Sequence, residues 1–121
     1  MAKTLTIAAQ VALVMDGLNS SSNPGNSITL VGNAAISNIQ TIGTTTEALS
    51  IGDILTPSYL FVKNQDATNF IQIGLTTAVT AGNAMFKLLP GEWAFIPTRR
   101  TVIYALADTS ACDLLVIFTE L

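Results

Sequence analysis

From Leu5 to Met15 every odd position is apolar (Leu5, Ile7, Ala9, Val11, Leu13, Met15), while Thr4, Thr6, Ala8, Gln10 and Ala12 take the alternate positions. A period of two is the mark of extended backbone, because successive side chains of a strand leave on opposite faces. The pattern predicts one long strand from Lys3 to Asp16. Shorter runs of the same kind predict strands at Ile28–Val31, Ile36–Ile42, Tyr59–Lys63, Phe70–Leu75, Met85–Leu89, Trp93–Ile96, Thr101–Ala107 and Cys112–Leu121. Turn-forming residues punctuate them: Asn19–Ser27 reads as an exposed loop, and Asn64–Asn69 and Asp108–Ala111 read as turns. At Pro90-Gly91 the proline presets one central φ and the glycine supplies a positive one, as a type II turn demands. Glu47–Leu55 is open between a short helix and an irregular crossing. No segment carries a convincing amphipathic helix. The expectation is an all-β fold of about eight strands in a single domain (1–121), an antiparallel β-sandwich with jelly-roll-like packing.

Charge is scarce. The 121 residues hold five basic and eight acidic side chains, 11% of the chain, while apolar residues make up 50%. A soluble domain is typically about 25% charged. A monomer of this size would expose roughly 6,000 Å², or one charge per roughly 450–500 Å², so much of the surface is expected to face other protein. The net charge of −3 and the scattered Lys3, Lys63, Lys87, Arg99 and Arg100 form no patch able to neutralise several phosphates, which argues against nucleic acid as a partner. No apolar run approaches the roughly 18 residues of a membrane helix, and Thr6 and Gln10 interrupt the N-terminal stretch that would otherwise suggest a signal peptide.

With no histidine, the Ser-His-Asp and Cys-His arrangements and His-based zinc sites are ruled out. The single Cys112 has no internal partner for a disulfide and reads as a small buried hydrophobe. Asp16, Glu47, Asp53, Asp66, Glu92, Asp108, Asp113 and Glu120 lie mostly in or beside predicted turns. Asn64, Asp66 and Thr68 have the one-three-five spacing of a calcium loop, but the central glycine is missing and the twelfth position is Leu75, so a hairpin turn bonded by its own side chains fits better. No phosphate-cradling or nucleophile-elbow motif occurs. The expectation is a non-enzymatic chain with no catalytic residue, no metal and no cofactor.

Candidate interface residues follow from the same reading. Leu5, Ile7, Val11 and Leu13 belong to a long first strand (within 1–16) suited to pairing with another chain, since an edge strand carries unsatisfied backbone groups. Trp93 and Phe95 share one face of a strand; core packing is their default role and an interface anchor the competing one. Arg99 and Arg100, the one basic pair, sit in a turn beside Pro97, as a solvated loop or a subunit contact.

The segment Ser58–Gly74 (SYLFVKNQDATNFIQIG), with Phe86–Glu92 (FKLLPGE) and Ile103–Thr109 (IYALADT), resembles small β-sandwich structural proteins of tailed bacteriophage virions. The resemblance covers roughly the last 65 residues. It implies a virion building block, foremost a capsid decoration or cement subunit that forms a homo-oligomer, a trimer or higher ring, and binds the major capsid protein. A tail, neck or fibre component is the alternative. A carbohydrate-binding sandwich that stacks Trp93, Tyr59 or Tyr104 on a sugar is a third reading from another class.

Overall fold

The computed structural model describes residues 4–15, 18–22, 25–29 and 34–120. All twelve described elements are strands: β1 (Thr4–Ala8), β2 (Val11–Met15), β3 (Leu18–Ser22), β4 (Gly25–Thr29), β5 (Ala35–Ile42), β6 (Glu47–Ala48), β7 (Pro57–Asn64), β8 (Ile71–Gly74), β9 (Phe86–Leu88), β10 (Trp93–Ile96), β11 (Tyr104–Ala107) and β12 (Cys112–Glu120). No described residue is helical, and so no described helix is long and apolar enough to cross a membrane. Contacts divide the chain into two compact units, Met1–Val31 and Gly32–Leu121.

The first unit is a β-hairpin. β1 pairs antiparallel with β4 from Thr4↔Thr29 to Ala8↔Gly25, and β2 with β3 from Val11↔Ser22 to Met15↔Leu18. One register runs through both ladders, counted outward from the two residues between Met15 and Leu18. This corrects two expectations. The first strand is interrupted at Ala9-Gln10, and Asn19–Ser27, expected as an exposed loop, holds most of β3 and the start of β4, with Asn23 and Pro24 outside the described residues. Serines and asparagines are weak strand formers, yet pairing opposite Val11, Ala12, Leu13 and Val14 overrides that preference. The overlooked signal is Asp16-Gly17, the dipeptide typical of a two-residue hairpin connection. Lys3, Asp16 and Val31, at the expected strand ends, lie outside the described residues.

The second unit is a sandwich of two four-stranded antiparallel sheets, ordered β10-β7-β12-β5 and β6-β11-β8-β9. Four of its pairings nest about one centre: β5 with β12, β6 with β11, β7 with β10 and β8 with β9. That is a long hairpin of eight strands rolled on itself, with successive strands alternating between sheets except at its tip, where β8 and β9 share one, which is the jelly roll. The expected fold class is therefore the observed one. Residues 47–55 form no helix: β6 is a two-residue edge, held by Gln40, whose Nε2 donates to Glu47 Oε1 (3.1 Å) and the Ala48 carbonyl (3.0 Å) while its Oε1 accepts from Ser50 N (2.9 Å).

Alternation decides which residues make the core. In β7, Ser58, Leu60, Val62 and Asn64 are buried and the intervening residues half-buried; in β12, Cys112, Leu114, Val116 and Phe118 are buried. These meet Ile71, Ile73, Ile103 and Ala105 of the facing layer, forming one dry cluster. Cys112 lies in it at 1% exposure, with desolvation first and the nearby carboxylates Asp66 and Asp108 next pushing its thiol pKa upward.

Three polar residues among those described are buried, Ser58, Asn64 and Thr119, and Asn64 is the one that joins several elements. Asn64 is fully buried. Its Nδ2 donates to the carbonyls of Asn69 (2.9 Å) and Leu88 (3.0 Å), and its Oδ1 accepts from Asp66 N (2.9 Å). Its backbone N donates to the Glu92 carbonyl (2.9 Å), and its own carbonyl accepts from Gly91 N (3.0 Å). One residue thus ties the end of β7 to its own turn, to β9 and to the turn before β10. Most of the pieces that carry the sequence resemblance, the Asn-turn-strand hairpin and the Leu-Pro-Gly-Glu turn, are joined by this network, so they report on architecture. The second turn is closed by Glu92 N donating to the Leu89 carbonyl (2.9 Å), with Gly91 at φ 81° as a type II turn requires. A Cβ on Gly91 would meet nothing within 4 Å, so Gly91→Ala isolates the backbone strain. It should cost about 1–2 kcal/mol, read as a lower denaturation midpoint at unchanged slope.

Candidate functional site

The even positions of β7 and β12 face the core, so their odd positions build the outer face of the β10-β7-β12-β5 sheet. Register aligns these residues in rows across all four strands. One row runs Trp93, Lys63, Leu115, Ile39; the next runs Phe95, Phe61, Ile117, Ser37. Tyr59 lies one step further along β7. An outer sheet face is normally polar when it meets water. Here it holds four of the eight aromatic residues. Trp93 is 53% exposed and Ile39 59%. The rings pair across the strands, Phe61 with Trp93 at 5.8 Å between centroids and Tyr59 with Phe95 stacked at 5.5 Å. Such pairs hold exposed rings in a fixed arrangement at little cost in side-chain freedom.

Of the sequence-derived candidates, the structure brings Trp93 and Phe95 together on this face and places Arg99 at its margin. Arg99 adopts a left-handed backbone (φ 57°), its Nη1 donates to the Ser58 carbonyl (2.7 Å), and its guanidinium lies 5.0 Å from the centre of the Tyr59 ring. It clamps the β10–β11 connection onto β7. Arg100 is exposed and lines a shallow depression with Leu75, Met85, Ile96 and Pro97. Leu5, Ile7, Val11 and Leu13 are placed in β1 and β2 of the hairpin unit. As members of this face, Phe61, Leu115, Ile117 and Ile39 are not among the sequence-derived candidates, and Tyr59 is there only as a residue that would stack on a sugar. A signal existed for four of them: Tyr59–Val62 and Leu114–Phe118 are apolar at both parities, the mark of a strand covered on both faces.

Five of the eight carboxylates serve the fold. Glu47 Oε2 accepts from Gly43 N (3.1 Å), Glu92 Oε1 from Leu89 N (2.7 Å), Asp113 Oδ1 from Thr41 Oγ1 (2.8 Å) and Glu120 Oε2 from Leu55 N (3.2 Å). Asp66 Oδ2 accepts from the backbone N of Asn69 (2.6 Å) and Thr68 (2.8 Å), so the residues with calcium-like spacing make a self-bonded turn. Among the described residues no three Cys, Asp or Glu side chains stand close enough to share a metal ion. The two backbone donors, Asn69 first, hold the Asp66 pKa below its ordinary 3.8. A lowered carboxylate pKa adds stability that is present above the unfolded value and lost as pH falls through the folded one. The Thr68 and Asn69 amide resonances, followed by NMR, should therefore titrate with a midpoint below the ordinary carboxylate value.

No protein family, curated protein or solved structure matches the chain.

Proposed function

We propose that this chain is a non-enzymatic structural subunit that self-associates through the aromatic outer face of its β10-β7-β12-β5 sheet. As an oligomer it serves as a capsid decoration or cement subunit on the major capsid shell of a virion. The observation that carries the reading is that face: two ordered rows in which six of eight side chains are apolar, anchored by an exposed tryptophan, on a chain with 11% charge. Large exposed apolar patches mark interaction surfaces, and aromatic anchors dominate the energetics of interfaces. The service of five of the eight carboxylates as turn and strand acceptors supports a role without catalysis. The virion assignment is supported by the resemblance of the second half, and the jelly roll is a fold that capsid and lectin domains share. The test is co-sedimentation of purified protein with assembled capsids. Wild type is expected to pellet with the shells and a Trp93→Ser/Phe95→Ser variant to stay in the supernatant; equal pelleting of both would refute the reading.

One observation favours a second reading. Trp93 also lines a shallow depression with Phe86, Lys87, Leu88 and Glu92, an aromatic ring beside charged side chains of the kind that holds a sugar. A glycan array in which Trp93→Ser abolishes a saccharide signal would favour it, and an array without a binder would retire it.

A further inference from the structure

We infer that two copies of this chain join antiparallel along β5, with the two-fold axis passing through Ile39. β5 is an outer edge of its sheet. It spans eight residues, against two for β6, three for β9 and four for β10, the other edges of the sandwich. Exposed edges are usually guarded by charge, proline or a bulge, and β5, AISNIQTI, has neither charge nor proline. Its pairing with β12 is in register throughout. Among the described residues, no backbone hydrogen bond reaches the free side of Ser37–Thr41.

The occupant follows from the strand itself. Ile36-Ser37-Asn38-Ile39-Gln40-Thr41-Ile42 is a chemical palindrome about Ile39. A pairing that keeps inner faces beside inner faces must oppose residues of the same parity, because a slip of one residue turns every side chain over. Centred on Ile39, it sets Ile39 against Ile39, Asn38 against Gln40, Ser37 against Thr41 and Ile36 against Ile42, so each residue meets its own kind. Centring on Asn38 opposes Ser37 to Ile39 and Ile36 to Gln40; centring on Gln40 opposes Ile39 to Thr41 and Asn38 to Ile42. Only the Ile39 register matches throughout, and a self-complementary patch is what an isologous dimer needs. The same register carries the row Trp93, Lys63, Leu115, Ile39 across the axis into the partner's row and covers an isoleucine that is 59% exposed in the single chain.

The inference shares with the proposed function the premise of self-association, and the test lets the two fail separately. Full-length Ile39→Cys, Ser37→Cys and Thr41→Cys are made in a Cys112→Ala background and oxidised with copper phenanthroline. Ile39→Cys should form a disulfide dimer. Ser37→Cys and Thr41→Cys should each stay uncrosslinked alone and crosslink when mixed. In the otherwise native chain, Ile39→Lys should halve the light-scattering mass. No disulfide at position 39, self-crosslinking of Ser37→Cys as fast as that of Ile39→Cys, or an unchanged mass in Ile39→Lys would each overturn the contact. Adding Trp93→Ser/Phe95→Ser to Ile39→Cys should leave crosslinking intact; its loss there would assign association to the aromatic face and overturn the edge pairing.

Discussion

Asn64→Ala should unfold the sandwich at far lower denaturant than any surface substitution, losing about 3 kcal/mol or more as three groups lose their partner. The amide makes three hydrogen bonds and the residue is completely buried, so truncation removes the partners of the Leu88 and Asn69 carbonyls and of Asp66 N. Water cannot easily replace them at the Leu88 end, where the neighbouring side chain is 4% exposed. Each orphaned buried group costs about 1–3 kcal/mol. Total stability of a domain is about 5–15 kcal/mol, so the loss is a large share of it. Asn64→Asp should be no rescue, because a carboxylate would face two carbonyl oxygens with no hydrogen to donate. Chemical denaturation followed through Trp93 emission reads both variants. A loss below about 1 kcal/mol would show that the turns around β9 are held by other contacts.

Trp93→Ser/Phe95→Ser should do the opposite, sparing the fold and weakening assembly. Both residues lie on the outer face, one exposed and one half-buried, so their removal leaves no cavity in the core. Intramolecularly they give up the ring pairs with Phe61 and Tyr59, worth about 0.5–1.5 kcal/mol each. At an interface, anchors of this kind carry about 2 kcal/mol or more apiece, which together makes association about a thousandfold weaker. The light-scattering mass at a fixed concentration should fall by at least half, while the far-ultraviolet circular dichroism spectrum stays unchanged. An unaltered mass would place the subunit contact elsewhere.

The sandwich was readable in the sequence because it is built from local signals: period-two runs, a Pro-Gly turn and an Asn-rich hairpin connection. The number and spacing of those runs pointed to jelly-roll-like packing, while the nested pairing itself joins segments far apart in the chain. The N-terminal hairpin was hidden because its return strand, Leu18–Ser22, is made of residues that prefer turns, and its identity depends on what it pairs with. The aromatic face was half legible. Trp93 and Phe95 stood out by type, but Leu115, Ile117 and Ile39 join them only through cross-strand register, a relation between segments tens of residues apart. Asn64 was read as a turn residue, and its burial under the neighbouring Leu-Pro-Gly-Glu turn is likewise a non-local fact.

Trp93, the chain's single tryptophan, sits on the aromatic face that self-association would bury between subunits. The decisive measurement is the light-scattering mass of the wild-type protein across a dilution series, with the emission spectrum of Trp93 recorded on the same samples. The expected result is an oligomer whose mass falls on dilution in step with a red shift of the emission as the indole enters water. A mass of 12.7 kDa at every concentration, with emission characteristic of an exposed indole throughout, would contradict it.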